Sequence, residues 1–104
     1  MSDYVLPEDV TSPRRNWTLI RVLESGREAD SHGDHVAISI GTWNSKPVLG
    51  MRWNGSKKHP NGHPQSRGLP VWFIVPRRLQ EAVIETLSKD DQTLVRGLFS
   101  NRKK

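Results

Sequence analysis

Val36-Ala-Ile-Ser-Ile-Gly-Thr-Trp43-Asn-Ser-Lys-Pro47-Val-Leu-Gly-Met-Arg-Trp53-Asn54 decides the fold. Its first eight residues alternate large with small, so that Val36, Ile38 and Ile40 share one face of a strand. The other face is Ala37, Ser39, Gly41 and Trp43. Asn44, Ser45 and Lys46 before Pro47 form a short turn, which makes the next strand an antiparallel partner. That strand is Val48 to Asn54, with Leu49, Met51 and Trp53 alternating with Val48, Gly50 and Arg52.

Outward from this hairpin, Trp17 to Leu23 is rich in β-branched and apolar residues and predicts a strand. The charged stretch Glu24 to Asp34 predicts a loop. On the other side, Gly55 to Gly68 is a run of fourteen residues with three glycines and two prolines. Long connections of this kind in a compact domain are often functional. Pro70 to Val75 predicts a fourth, strongly apolar strand. Pro76 then opens a helix, because proline is tolerated in the first turn. Leu79, Ala82, Val83 and Leu87 place an apolar stripe on that helix. Ser88 with Asp91 resembles a capping pair for a second, short helix bearing Leu94, Val95, Leu98 and Phe99.

The expected class is therefore α+β: a four-stranded antiparallel β-meander followed by a C-terminal helix, ββββα, plus a short second helix. Residues 1–16 lack periodicity and read as a flexible arm ending in Arg14 and Arg15. Residues 17–100 form the single domain, and 101–104 a basic tail. The helix is expected to cover one sheet face. The face of Ala37, Ser39, Gly41 and Gly50 is expected to stay flat and open.

Composition narrows the function. The chain has 104 residues and no cysteine, which excludes disulfides and thiolate metal sites and favours a reducing, cytoplasmic or nucleoid-associated setting. No apolar run approaches the roughly 20 residues of a membrane span, and the acidic, polar start is unlike a secretory leader. The net charge is +5. Between His35 and Gln80 lie seven basic residues and no Asp or Glu, whereas the rest of the chain has nine basic and eleven acidic residues. Ordinary solubilising surfaces intersperse the two signs. A cationic field concentrated on the predicted sheet favours a polyanion.

Four tryptophans in so short a chain need an account. Trp72 lies in an apolar run and is assigned to the core. Trp17 fits either core or surface. Trp43 and Trp53 stand beside Lys46 and Arg52 and near the loop cations Lys57, Lys58 and Arg67. Aromatic rings beside cations are how proteins hold single strands: bases stack on the rings while the cations track the phosphates. Arg52 is the foremost polar candidate on the open face. Arg77, with Arg78, sits in the helix's first turn, where a cation is mildly unfavourable to the macrodipole. The candidate nucleic-acid-binding residues are therefore Trp43, Lys46, Arg52, Trp53, Lys57, Lys58, Arg67 and Arg77. No catalytic residue, metal ligand or cofactor is assigned. His59 and His63 are spaced by four, as for zinc on a helix, but Pro60 and Pro64 follow them directly and disfavour a helix there.

The run from Ile38 to Trp53 is similar to the double strand of the positive-cofactor-four type of transcriptional coactivator and its short bacterial relatives. In that family a Trp-Asn-Gly-like turn leads into a strand with an Arg and a Trp, then a loop. A Gly-led strand running straight into a helix follows, as in Arg67-Gly-Leu-Pro-Val-Trp-Phe-Ile-Val-Pro-Arg-Arg-Leu-Gln-Glu-Ala-Val83. The resemblance covers about residues 17–87. It implies a homodimer through the C-terminal helix and single-stranded DNA binding by aromatic and basic strand residues, with Trp43, Lys46, Arg52 and Trp53 the positions that match. The long loop and the second helix depart from the family.

The expected function is a non-enzymatic binder of single-stranded DNA or RNA, acting as a dimeric accessory factor in transcription or DNA metabolism. Two other readings stand beside it. One is a protein-interaction module using the sheet or the apolar helix. The other is a small metal-dependent nuclease using His59 and His63, with Asp34 and His35 as sources of a further ligand. The acid-free segment argues against the nuclease, since such enzymes use carboxylates.

Overall fold

The computed structural model describes residues 4–12, 14–26 and 35–101, the side chain of Asn101 excepted. The basic tail at Arg102, Lys103 and Lys104, most of the charged loop and the ligand source Asp34 lie outside the described residues.

The central hairpin forms as expected. Strands β1 (Trp17–Glu24), β2 (Val36–Trp43) and β3 (Lys46–Trp53) run antiparallel and in sequence order. Asn44 and Ser45 both take positive φ, 51° and 71°, which is the two-residue type I′ turn whose twist matches its strands. Lys46 therefore belongs to β3 and pairs with Trp43. Ser45 is the strained member, because a side chain in the left-handed region costs about 1–2 kcal/mol. Ser45→Gly is expected to stabilise the domain by about 1 kcal/mol, seen as a rise of about 4–8 °C in the thermal midpoint.

The fourth strand is fragmented. The expected run from Pro70 to Val75 is present as β5 (Leu69–Pro70) and β6 (Phe73–Ile74), and only β6 joins the sheet, beside β3. Pro70 and Pro76 bracket it, and a residue without an N–H cannot extend a ladder. β5 pairs instead with β4 (Gln65–Ser66) in a small hairpin inside the long loop. The helices also differ from expectation in relative length. A 3₁₀ turn at Arg77–Leu79 leads into α1 (Gln80–Ile84), only five residues long, whereas α2 (Lys89–Asn101) has thirteen. The Ser88 Oγ accepts the Asp91 N–H at 3.2 Å, the cap that the spacing predicted, and Asp90 and Asp91 favour the positive end of α2. No helix among the described residues is long and apolar enough to cross a membrane.

The largest departure concerns the sheet faces. Ile38, Ile40, Leu49 and Val75 pack beneath Ile84, Leu87 and Val95, so the helices cover one face as expected. The opposite face, expected to be open, is a second core of Val10, Trp17, Ala37 and Trp72. Small residues there do not make a platform for a ligand; they make room for indoles. A Cβ placed on Gly41 would lie 2.4 Å from the Trp17 ring, and one on Gly50 would lie 3.3 Å from Trp72 Cβ. The two rings are tilted against each other at 6.4 Å.

The segment expected as a flexible arm supplies the outer wall of this second core. Pro7–Asp9 forms a 3₁₀ turn, and Pro7 and Val10 are buried. The Trp72 indole donates to the Val10 carbonyl at 2.6 Å, and the Val5 N–H donates to the Pro60 carbonyl at 2.8 Å. Ser12 makes a parallel bridge with Val71. A buried indole N–H needs an acceptor, and the arm provides it.

Candidate nucleic-acid interface

The eight candidates do not form one groove. Alternation along β3 puts Lys46 on the Trp17–Trp72 side with Val48, and Trp53 on the helix side with Leu49 and Met51. The seven residue steps from Lys46 to Trp53 span about 23 Å at a strand's rise. Trp43 and Trp53 therefore occupy opposite faces and opposite ends of the sheet.

Arg52 corrects the expectation most sharply. Expected on an open face, it is 2% exposed. One terminal nitrogen donates to the Val71 carbonyl at 2.6 Å and the Pro64 carbonyl at 3.5 Å, and the other donates to the Asn61 carbonyl. Burial pushes its guanidinium below the ordinary arginine value, although a guanidinium remains charged at neutral pH. An irregular loop drawn against a sheet leaves carbonyls without ladder partners, and a fork of N–H donors satisfies several at once. Arg52 thus holds the long loop down.

That loop is ordered. Trp53 and His63 exchange both backbone hydrogen bonds, at 2.8 and 3.0 Å, and close it at its base. Ser56 and His59 likewise exchange N–H···O bonds at 3.0 and 3.1 Å, so Lys57 and Lys58 form the tip of a tight turn. Arg67 and Gly68, with φ of 53° and 81°, form the tip of the β4–β5 hairpin. The Asn61 side chain donates to the Gly68 carbonyl at 2.8 Å and ties the hairpin tip back to the loop. Lys57, Lys58 and Arg67 are all exposed, and none pairs with an acid among the described residues.

At the base of this loop lies an aromatic shelf. Trp53 is 55% exposed and Phe73 51%. Met51 pairs with Phe73 across β3–β6, and Val36 with Trp53 across β2–β3. Together with His63 and Pro64 they line a shallow pocket of about 310 Å³. Phe73 was not singled out in the sequence. The apolar run around Trp72 carries no polar residue to mark its outer side, yet the strand period turns Trp72 in and Phe73 out.

At the other end of β3, Trp43, Lys46 and Arg77 line a separate depression of about 470 Å³ with Val48, Ile74 and Gln80. Here three of the predicted residues meet from separate elements. Elsewhere, His59 and His63 are exposed, and no three His, Asp or Glu side chains converge among the described residues. Of the stripe Leu79, Ala82, Val83 and Leu87, on the helix through which a homodimer is expected, Leu87 is buried and Leu79 is 48% exposed; on α2, Val95 is fully buried, and Leu98 and Phe99 lie against the same core.

No family model, curated protein or solved structure matches the chain.

Proposed function

We propose that the chain binds single-stranded nucleic acid across the Trp53–Phe73 shelf, with Lys57, Lys58 and Arg67 holding the phosphates. The observation that carries this reading is the pair of half-exposed aromatic rings on adjacent strands, at the root of a loop whose tips present cations. Large aromatics are normally driven into cores, and this chain has core seats for Trp17 and Trp72. Exposed rings flanked by unpaired cations match the demands of a splayed strand: faces for bases and fixed charge for backbone. The binding is non-enzymatic and sequence-tolerant. It agrees with what the resemblance to the positive-cofactor-four type implies, but uses one face and one loop of a single copy in place of a dimer groove.

Titration of a labelled oligonucleotide tests the proposal. Three phosphate contacts give a slope of log K against log salt of about −2, or a loss of about 20-fold between 50 and 200 mM salt. Trp53→Ala and Phe73→Ala are each expected to weaken binding by about 1–3 kcal/mol, the worth of one stacked base. Lys57→Ala combined with Lys58→Ala should flatten the salt slope by about 1.4. Absence of oligonucleotide binding at low salt would sink the proposal, and equal affinity for duplex and single strand would remove the stacking argument.

A further inference from the structure

We infer that the depression between Trp43, Lys46, Arg77 and Gln80 is a second, separate site that takes a phosphorylated nucleoside. Its volume of about 470 Å³ falls in the range of about 300–1,000 Å³ usual for small-ligand pockets. Its apolar floor is Val48 and Ile74. Trp43 is half-buried, so one part of its indole is anchored and the rest is open to stacking. Lys46 lies directly across the hairpin from Trp43, and Arg77 enters from the 3₁₀ turn before α1. Both cations are exposed and make no ion pair among the described residues.

The charge at this site has no internal counterpart. No carboxylate occurs from residue 35 to residue 80. The next one along the chain, Glu81, is held by Arg96 at 2.6 Å. An anion entering the depression therefore meets two cations and no opposing acid from its lining.

Gln80 also lines the depression. The residue is 7% exposed, but its amide is not among the enclosed side-chain polar atoms that lack a partner, so it is open to water and to a ligand. A primary amide offers a donor and an acceptor side by side, which is the complement of a nucleobase edge. An aromatic face, an amide and two cations together fit base and phosphate in one ligand. A bare phosphate would leave the indole and the amide unused, and a free nucleoside would leave the cations unused.

The inference is independent of the shelf. The probe is adenosine monophosphate titrated into the full chain, followed by calorimetry and by the indole N–H signals of the four tryptophans. Inorganic phosphate and adenosine serve as controls. The monophosphate is expected to bind more tightly than either control and to perturb the Trp43 signal. Lys46→Ala combined with Arg77→Ala, at exposed positions where folding is safe, should weaken it by about tenfold or more, given the strength of charge-assisted contacts. Gln80→Leu should narrow the difference between adenosine and uridine monophosphates. Trp53→Ala should leave the affinity unchanged. No binding at millimolar ligand overturns the inference, as does equal affinity for inorganic phosphate, or loss in Trp53→Ala with none in the Lys46/Arg77 pair. If the shelf variants leave oligonucleotide binding intact while the Lys46/Arg77 pair abolishes monophosphate binding, the shelf reading fails and this one stands.

Discussion

Replacing Arg52 with methionine is expected to destabilise the domain by about 3 kcal/mol, because each buried acceptor left without a donor costs about 1–3 kcal/mol. Methionine matches much of the aliphatic length and removes the burden of a desolvated charge, which offsets part of the loss. It cannot satisfy the carbonyls of Asn61 and Val71, which the guanidinium reaches from opposite ends of its fork. Gly62 tightens the arrangement: a Cβ there would lie 2.7 Å from the guanidinium, so the loop backbone is drawn close to the cation. Arg52→Lys is also expected to be costly, by about 2 kcal/mol, since an ammonium is a point charge and not a planar fork. Urea denaturation measures the first effect. Amide exchange in the 54–64 segment measures the second, local one. An unchanged urea midpoint for Arg52→Met would show that the loop is held by something else. The same geometry changes how a binding defect in an Arg52 variant is to be interpreted: it would reach a nucleic acid through collapse of the loop that carries Lys57 and Lys58, with no direct contact.

The second large effect is expected at Trp17. Truncation to alanine should cost about 3–5 kcal/mol, the usual range for a buried tryptophan. That is comparable to the whole stability of a small domain, about 5–15 kcal/mol. The ring fills the recess above Gly41 and Gly50, and no neighbouring side chain is free to move into it, because those positions have none. Trp17→Phe should be much milder. It keeps most of the ring and removes an indole N–H that is buried without a partner. Gly41→Ala attacks the same contact from below, since its Cβ would sit 2.4 Å from the ring and 2.5 Å from the Thr18 carbonyl. Overpacking of this kind costs about 1–3 kcal/mol. The two substitutions should not add. With the indole gone, the added methyl has room, and the double variant should recover part of the sum. Strict additivity in thermal melts would mean that the backbone clash with Thr18, and not the ring, dominates at Gly41.

The central hairpin was legible because two independent signals agreed: alternation in Val36–Trp43, and the Asn44-Ser45 turn. The Ser88 cap was legible for the same reason, one residue type at one spacing. The burial of the Ala37–Ser39–Gly41 face was not. A column of small residues reads identically whether it faces water or a tryptophan, and what covers it comes from Trp17, Trp72 and Val10, far apart in sequence. Arg52 shared that ambiguity. Nothing local distinguishes a cation aimed at solvent from one aimed at the carbonyls of a folded loop. The candidate site was legible as a list of residues and not as a place. The alternation that defined the strands also implied that Trp43 and Trp53 point to opposite sides, but the acid-free charge pattern masked that parity by treating both as one patch. The lengths of α1 and α2 were missed because the apolar stripe runs through Leu87, although the chain tightens into short-range turns at Thr86 and Leu87 before Ser88 starts afresh.

The hydrogen bond from Trp72 to Val10 joins residues 62 positions apart. During synthesis, the docking of the N-terminal turn must therefore wait for a side chain made long afterwards. The β1–β2–β3 meander can form from the residues already emerged, but its back remains uncovered until Trp72 arrives and the N-terminal segment closes over it. Closing so long a loop is entropically unfavourable and slows folding relative to local hairpin formation. A nascent chain arrested just short of Trp72 should thus present Gly41 and Gly50 beneath an indole with no outer wall.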